Sequence, residues 1–298
     1  MQRRNFITTA AISAIAVSTT GFIRFNGLQF EGDCETTTDI LGPFYRPDAP
    51  VRSNMRLQNS PGLPVVLTGQ IKHKDCIKPL AGASVELWHC DEKGVYDNDS
   101  AEFKFRAKTY CDDKGMYSFK TILPVPYDIG NGTIRPAHFH LLISANGYQS
   151  LITQLYFNGD KHIAKDIYAS VPAAKRRILQ IADGKNNEKL VTFNVSMMDK
   201  LPPDPMVLER LAGIYNPLAD GQKTELFTRD KMLWIKNSAS INGGYPLQYN
   251  GDNKFELYGR PGTVMQFKPN MDGSINVTVT EPGSDGAAKK WEALKNKS

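Results

Sequence analysis

The feature that most constrains this chain is a succession of short apolar or alternating runs, each closed off by turn residues. Residues 64–71 and 83–88 are the first two, with Pro79-Leu80-Ala81-Gly82 turning between them. Further runs follow at 103–110, 115–122, 137–145, 150–157 and 189–197, with Gly, Asn, Asp and Pro in the gaps. Alternation with a period of two puts one set of side chains on one face, as a half-buried strand requires. Such strands cannot bury a face alone, so they must pair and stack. The expected fold is all-β, an antiparallel β-sandwich over residues 34–200. Within this span the one clear helical suggestion is near 172–182, Pro-Ala-Ala-Lys-Arg-Arg-Ile-Leu-Gln-Ile-Ala.

Leu201-Pro202-Pro203-Asp204-Pro205 breaks the pattern and reads as a linker, residues 201–205. Beyond it, Leu208 to Tyr215 suggests a short helix entering a turn. Residues 206–298 then carry short runs separated by Asp230-Lys231, Asn242-Gly243-Gly244, Asn250-Gly251-Asp252-Asn253 and Asp272-Gly273. These pairs favour the positive φ of tight hairpins. An accessory domain is expected there, a small antiparallel β-barrel or sheet. It contains no histidine or cysteine.

The first residues read differently. Arg3 and Arg4 precede a mildly apolar stretch, Ile7 to Phe22, too rich in Ser and Thr for a membrane span. Arg3-Arg4-Asn5-Phe6-Ile7 resembles a twin-arginine export signal. Residues 1–33 are therefore expected to be export signal and lead, with no membrane span in the mature protein and a periplasmic or extracellular destination. The four cysteines, Cys34, Cys76, Cys90 and Cys111, contain no C-x-x-C pair. That spacing argues against zinc, and an exported chain with four cysteines permits two disulfides. The net charge of +5 is modest. Lys175-Arg176-Arg177 is the only dense basic run, expected on a solvated face or helix end, so no nucleic-acid surface is expected.

The segment Ile134-Arg135-Pro136-Ala137-His138-Phe139-His140-Leu141 carries the chemistry. In a strand, His138 and His140 face the same way, which is half of a metal site on a rigid support. An isolated H-x-H pair describes two satisfied sheet histidines equally well. Tyr127 and Tyr96 lie on loops able to fold back over that strand. Two phenolates with two neutral imidazoles suit a hard trivalent metal better than zinc or copper(I).

Residues 36–200 resemble the intradiol ring-cleavage dioxygenases, the family of protocatechuate 3,4-dioxygenase and catechol 1,2-dioxygenase. The resemblance rests on six ordered blocks. They are Leu41-Gly42-Pro43-Phe44-Tyr45, Pro79 to Ala83 running into Glu86-Leu87-Trp88-His89-Cys90-Asp91, and Gly94-Val95-Tyr96. Gly115-Met116-Tyr117-Ser118-Phe119, Arg135 to His140, and Thr153-Gln154-Leu155-Tyr156-Phe157 complete them. The resemblance implies one Fe(III) per catalytic domain, with Tyr96 and His138 as equatorial and Tyr127 and His140 as axial ligands. It implies catalytic roles for Tyr127, which would accept a substrate proton, and for Arg135 and Gln154 beside the substrate. The substrates implied are a catechol and O2, the product a muconate-type diacid, and a homo-oligomer is compatible with it. The segment 97–110 is expected at the pocket mouth. The C-terminal domain is foreign to the family. The competing reading is an exported non-catalytic β-sandwich binding protein, which would lack one or more of the four ligands.

Overall fold

A computed structural model describes residues 22–25, 30–33, 36–57, 61–219, 221–237, 243–283 and 287–296. Residues 1–21, with the expected export signal, and Cys34 lie outside them. Within the expected lead, Phe22–Phe25 pairs antiparallel with Phe30–Asp33.

Two sheets form the first layer pair. One has the strand order Ile178–Leu179, Leu151–Phe157, His138–Ser144, Ser84–Trp88, Arg106–Tyr110. The other is built on Pro64–His73, which pairs with Met116–Ile122, Lys189–Thr192 and Val195–Met197. The alternation along Pro64–His73 holds as far as Lys72, with Val65, Leu67 and Ile71 fully buried. They meet Val85, Leu87, Phe139, Leu141, Ile143, Leu155 and Phe157 from the facing sheet in a single core. Burying each of these aliphatic or aromatic side chains stabilises by roughly 1.5–3 kcal/mol.

The sandwich is all-β but not purely antiparallel. Ile178–Leu179 runs parallel to Leu151–Phe157, and both Lys189–Thr192 and Val195–Met197 run parallel to Pro64–His73. The run 189–197 is two strands because the side-chain oxygen of Asn194 accepts from the Gln70 N–H and interrupts the ladder. The helix expected at 172–182 is also corrected. Pro172–Arg177 is a 3-10 helix, and Ile178–Leu179 leaves it to pair with Tyr156–Phe157. Sheet pairing outweighs the weak helical preference of this segment.

Pro205–Leu211 is an α-helix, earlier than expected, because the Asp204 side chain accepts from the Met206 N–H at 2.8 Å and Pro205 fills the first turn. Tyr215 belongs to the first of eight strands, Gly213–Pro217 through Ala288–Lys295, which close into an antiparallel barrel. The Asp230-Lys231 turn has both residues at positive φ and joins two barrel strands with Arg229 opposite Met232. Closure comes from Asn216 and Pro217 pairing with Leu294 and Ala293. No described helix is long and apolar enough to cross a membrane.

Candidate metal centre

The strand Leu151–Phe157 is buried along its whole length, so both faces of the first sheet are covered. One face is the core. The other is read from the register, in which directly opposed residues share a face. His140 lies opposite Trp88 on one side and Gln154 on the other, and Trp88 lies opposite Arg106. His138 lies opposite Tyr156. Alternation thus assembles Arg106, Trp88, His140, Gln154, His138 and Tyr156 on one surface, beneath the loops that carry Leu41, Phe44, Tyr96 and Tyr127.

His138 and His140 are 1% exposed, and their Nε2 atoms stand 3.2 Å apart. The Tyr96 hydroxyl stands 3.4 Å from the first and 3.1 Å from the second. The Tyr127 ring lies edge-on to that of Tyr96, with centroids 5.4 Å apart, and 5.6 Å from the His138 ring. Gly94 lets these two loops close together. It adopts φ +82°, and an added Cβ would stand 2.9 Å from the Tyr127 Cβ. All four expected ligands therefore converge.

Their chemistry fits a cation. The Nδ1–H of His138 donates to the Pro136 carbonyl at 2.6 Å, which leaves the Nε2 lone pair facing the other donors. Burial, helped by the Arg135 charge, brings His138 down to about 3, and burial holds His140 well below the usual imidazole range. Both rings are neutral and ready to ligate. Burial raises both tyrosines, so without a neighbouring positive charge they stay protonated. Donor atoms about 2.1 Å from a common ion and about 90–110° apart lie roughly 3.0–3.4 Å from each other, the spacing between the Tyr96 hydroxyl and the two imidazoles. Among the described residues no three His, Cys, Asp or Glu side chains gather elsewhere for a metal.

The His140 ring is oriented in an unusual way. Its buried Nδ1 has no hydrogen-bond partner. The ring instead lies flat on the Trp88 indole, with centroids 4.8 Å apart and planes 11° apart. Tyr96 is held likewise by Phe44, stacked at 4.3 Å.

Arg135 and Gln154 sit behind the two tyrosines and two histidines within a larger buried network. Arg135 Nε donates to Asp166 at 2.6 Å, and its Nη2 donates to the Gln154 Oε1 and the Tyr156 hydroxyl. Gln154 Nε2 donates to the Ile40 carbonyl. The Tyr156 hydroxyl lies 3.0 Å from Asp39, whose carboxylate is paired with Arg177. Two arginines and two aspartates balance in charge. Sequence reasoning missed Asp39, Tyr156, Asp166 and Arg177. Arg177, expected to be solvated, is 2% exposed. Within the segment 97–110, Asp97 accepts from the Ser100 and Lys104 N–H groups and Arg106 donates to the Phe44 carbonyl, while Asp99, Glu102 and Lys104 are exposed. The two disulfides the sequence permits do not both form. Cys76 is disulfide-bonded, whereas Cys90 and Cys111 are buried free thiols.

The dioxygenase family model matches residues 40–199, more than half of the chain, and ends before the barrel. The chain is 37% identical over 142 residues to the catechol 1,2-dioxygenase of Candida albicans, covering 41% of this chain and 46% of that protein. It is 35% identical over 150 residues to catechol 1,2-dioxygenase 2 of Acinetobacter lwoffii, covering 44% and 54%. The crystal structure of catechol 1,2-dioxygenase from Pseudomonas arvilla C-1 superposes with a TM-score of 0.51 at 29% identity, over 57% of this chain and 64% of that one. The chain spans about half the length of the curated relatives it matches.

Proposed function

The chain belongs to the intradiol dioxygenase family, and from that premise we propose that it cleaves a catechol-type ring between its two hydroxylated carbons, with both atoms of O2 entering a muconate-type diacid. The observation that carries this reading is the gathering of Tyr96, Tyr127, His138 and His140 in one cluster. These four would hold one Fe(III), which when bound supplies the positive charge that acidifies phenols and draws electron density from the diol.

The chain's own residues divide the remaining work. Tyr127 is the half-buried member of the tyrosine pair and Tyr96 the buried one. Tyr127 Oη is thus the better placed to take a proton from an incoming diol hydroxyl. Arg135 favours the phenolate, since its charge opposes the upward push of burial on Tyr127. Asp166 fixes the guanidinium from one side and Gln154 from another, so the positive charge is in place before negative charge develops on the ring. Gln154, anchored on the Ile40 carbonyl, positions Arg135. Trp88 and Phe44 cover the ligand rings and keep water from them.

The test is direct. Full-length protein reconstituted with iron should be wine-red from phenolate-to-iron charge transfer. With catechol it should consume one O2 per ring as ultraviolet absorbance of a diacid appears. Colourless protein after reconstitution, or red protein that takes up no oxygen, would defeat the proposal. We further propose export by the twin-arginine route, from Arg3-Arg4 and the stretch that follows. An Arg3→Lys/Arg4→Lys chain retained inside the cell supports it, and one exported as before refutes it.

A further inference from the structure

The barrel lies outside the family match and is nevertheless built against the candidate site. The Leu41 N–H donates to the Gly259 carbonyl at 3.2 Å. Gly259 sits at φ +77°, and an added Cβ would stand 3.2 Å from the Leu41 Cβ, so glycine suits both the backbone conformation and the close approach of Leu41. Gln248 of the barrel donates to Gln149 of the sandwich at 2.6 Å. The barrel is thus fastened to the segment that passes over the ligands.

Between the two domains runs a cleft of about 960 Å³. Its sandwich wall includes Gly42, Ile167 and Tyr168; its barrel wall includes Tyr245, Tyr258 and Arg260. The sandwich wall touches the site. An added Cβ on Gly42 would stand 3.1 Å from His140 Cε1, and the Tyr168 ring lies 4.9 Å from the Arg135 guanidinium. Ile167 and Tyr245 are exposed, at 56% and 40%. The space far exceeds what a single ring fills, since a cavity of roughly 150 Å³ already takes up benzene. It lies at the upper end of the range, about 300–1,000 Å³, that encloses ligands of several rings.

We propose that the barrel supplies the second wall of the substrate cleft, and that this cleft selects diols carrying a second aryl ring or a similarly long apolar group. The seat of the diol rests on the ring-cleavage reading above, whereas the seat of the second ring rests on the cleft itself. Aromatic side chains on both walls offer faces for stacking, and Arg260 at the exposed rim adds a guanidinium plane.

The experiment uses the full chain and two probes. The first is 3,4-dimethoxybiphenyl, whose methylated oxygens cannot act as a diol. Titration calorimetry should show saturable binding to the unaltered protein, weakened at least tenfold in Tyr245→Ala and in Arg260→Ala, with urea midpoints showing both variants folded. The second is 3,4-dihydroxybiphenyl, for which kcat/KM should exceed that for catechol; the ratio should fall about tenfold in either variant, mainly through KM. No binding of the dimethoxy probe, or equal binding by all three proteins, overturns the proposal. Protein that binds this probe in the cleft but cleaves neither diol would sustain the cleft assignment and defeat the ring-cleavage reading.

Discussion

Replacing Asp39 by Asn removes one charge from the buried network and little else. Asp39 is 2% exposed, pairs with Arg177, lies within hydrogen-bond reach of the Tyr156 hydroxyl, and accepts from the Ile40 N–H. Asparagine keeps the shape and an acceptor oxygen, but it leaves Arg177, equally buried, with no ionic partner. Burial raises the Asp39 carboxyl even against the pull of Arg177. The intact pair therefore contributes little net stability, and stranding one member is what costs. Breaking such a pair costs about 3–5 kcal/mol, whereas replacing both partners by neutral groups is often near neutral. With a urea m-value of about 2 kcal/mol per M, Asp39→Asn should lower the sandwich unfolding midpoint by about 1.5 M or more. Asp39→Asn/Arg177→Met should recover most of that loss. Equilibrium unfolding at pH 7 measures all four corners of the cycle. A single variant within about 0.3 M of the unaltered protein, or a double variant as unstable as the sum of the singles, would refute the reasoning.

His89 gives a pH signature. Its Nδ1–H donates to the Cys90 carbonyl, its Nε2 accepts from Thr121, and burial lowers it to about 4. The unfolded chain takes up this proton near 6.5 and the folded chain only near 4. The contribution of the neutral ring is therefore complete above 6.5 and is lost as pH falls towards 4, a loss of about 3 kcal/mol. His138 and His140, lowered in the same direction, add to the fall between pH 7 and 4.5, so in urea unfolding His89→Leu should make that fall smaller by about 3 kcal/mol without abolishing it; an equally steep profile in the variant would locate the effect elsewhere. Tyr127→Phe should keep iron while turnover falls by about 10²–10⁴-fold, the usual worth of a positioned base, and unchanged kcat would exclude it from proton transfer. Trp88→Leu removes the surface that orients His140. Iron affinity measured by chelator competition should fall about 10–100-fold, as when other orienting partners of ligand histidines are lost, and an undiminished affinity would mean the stack does not orient the ring.

His138 and His140 were legible because strand alternation alone puts both on one face, and the register then delivers Trp88, Gln154 and Tyr156 beside them. Tyr96 and Tyr127 were not legible from periodicity, since loops carry no period; the ordered blocks of the resemblance supplied them. Asp39 and Arg177 were invisible for another reason. They are 138 residues apart, and a charge in a basic triplet looks solvated until its distant partner is known. The strand Ile178–Leu179 was misread as helix because its pairing partner, Tyr156–Phe157, is equally non-local. In the barrel, the hairpin turns were readable, but closure depends on Asn216 meeting Leu294, which no local signal announces.

The hydrogen bond from Leu41 to Gly259 also has a meaning in time. All four proposed ligands lie upstream of the barrel, whose strands run from Gly213 to Lys295. At a synthesis rate of 5–20 residues per second, the sandwich emerges roughly 5–20 s before the chain that walls its cleft. During that interval the ligand pocket is open on the side that Gly259 later fastens. The order of the two domains along the chain thus makes a folding schedule, in which the proposed ligand cluster is complete before the second wall of its cleft exists.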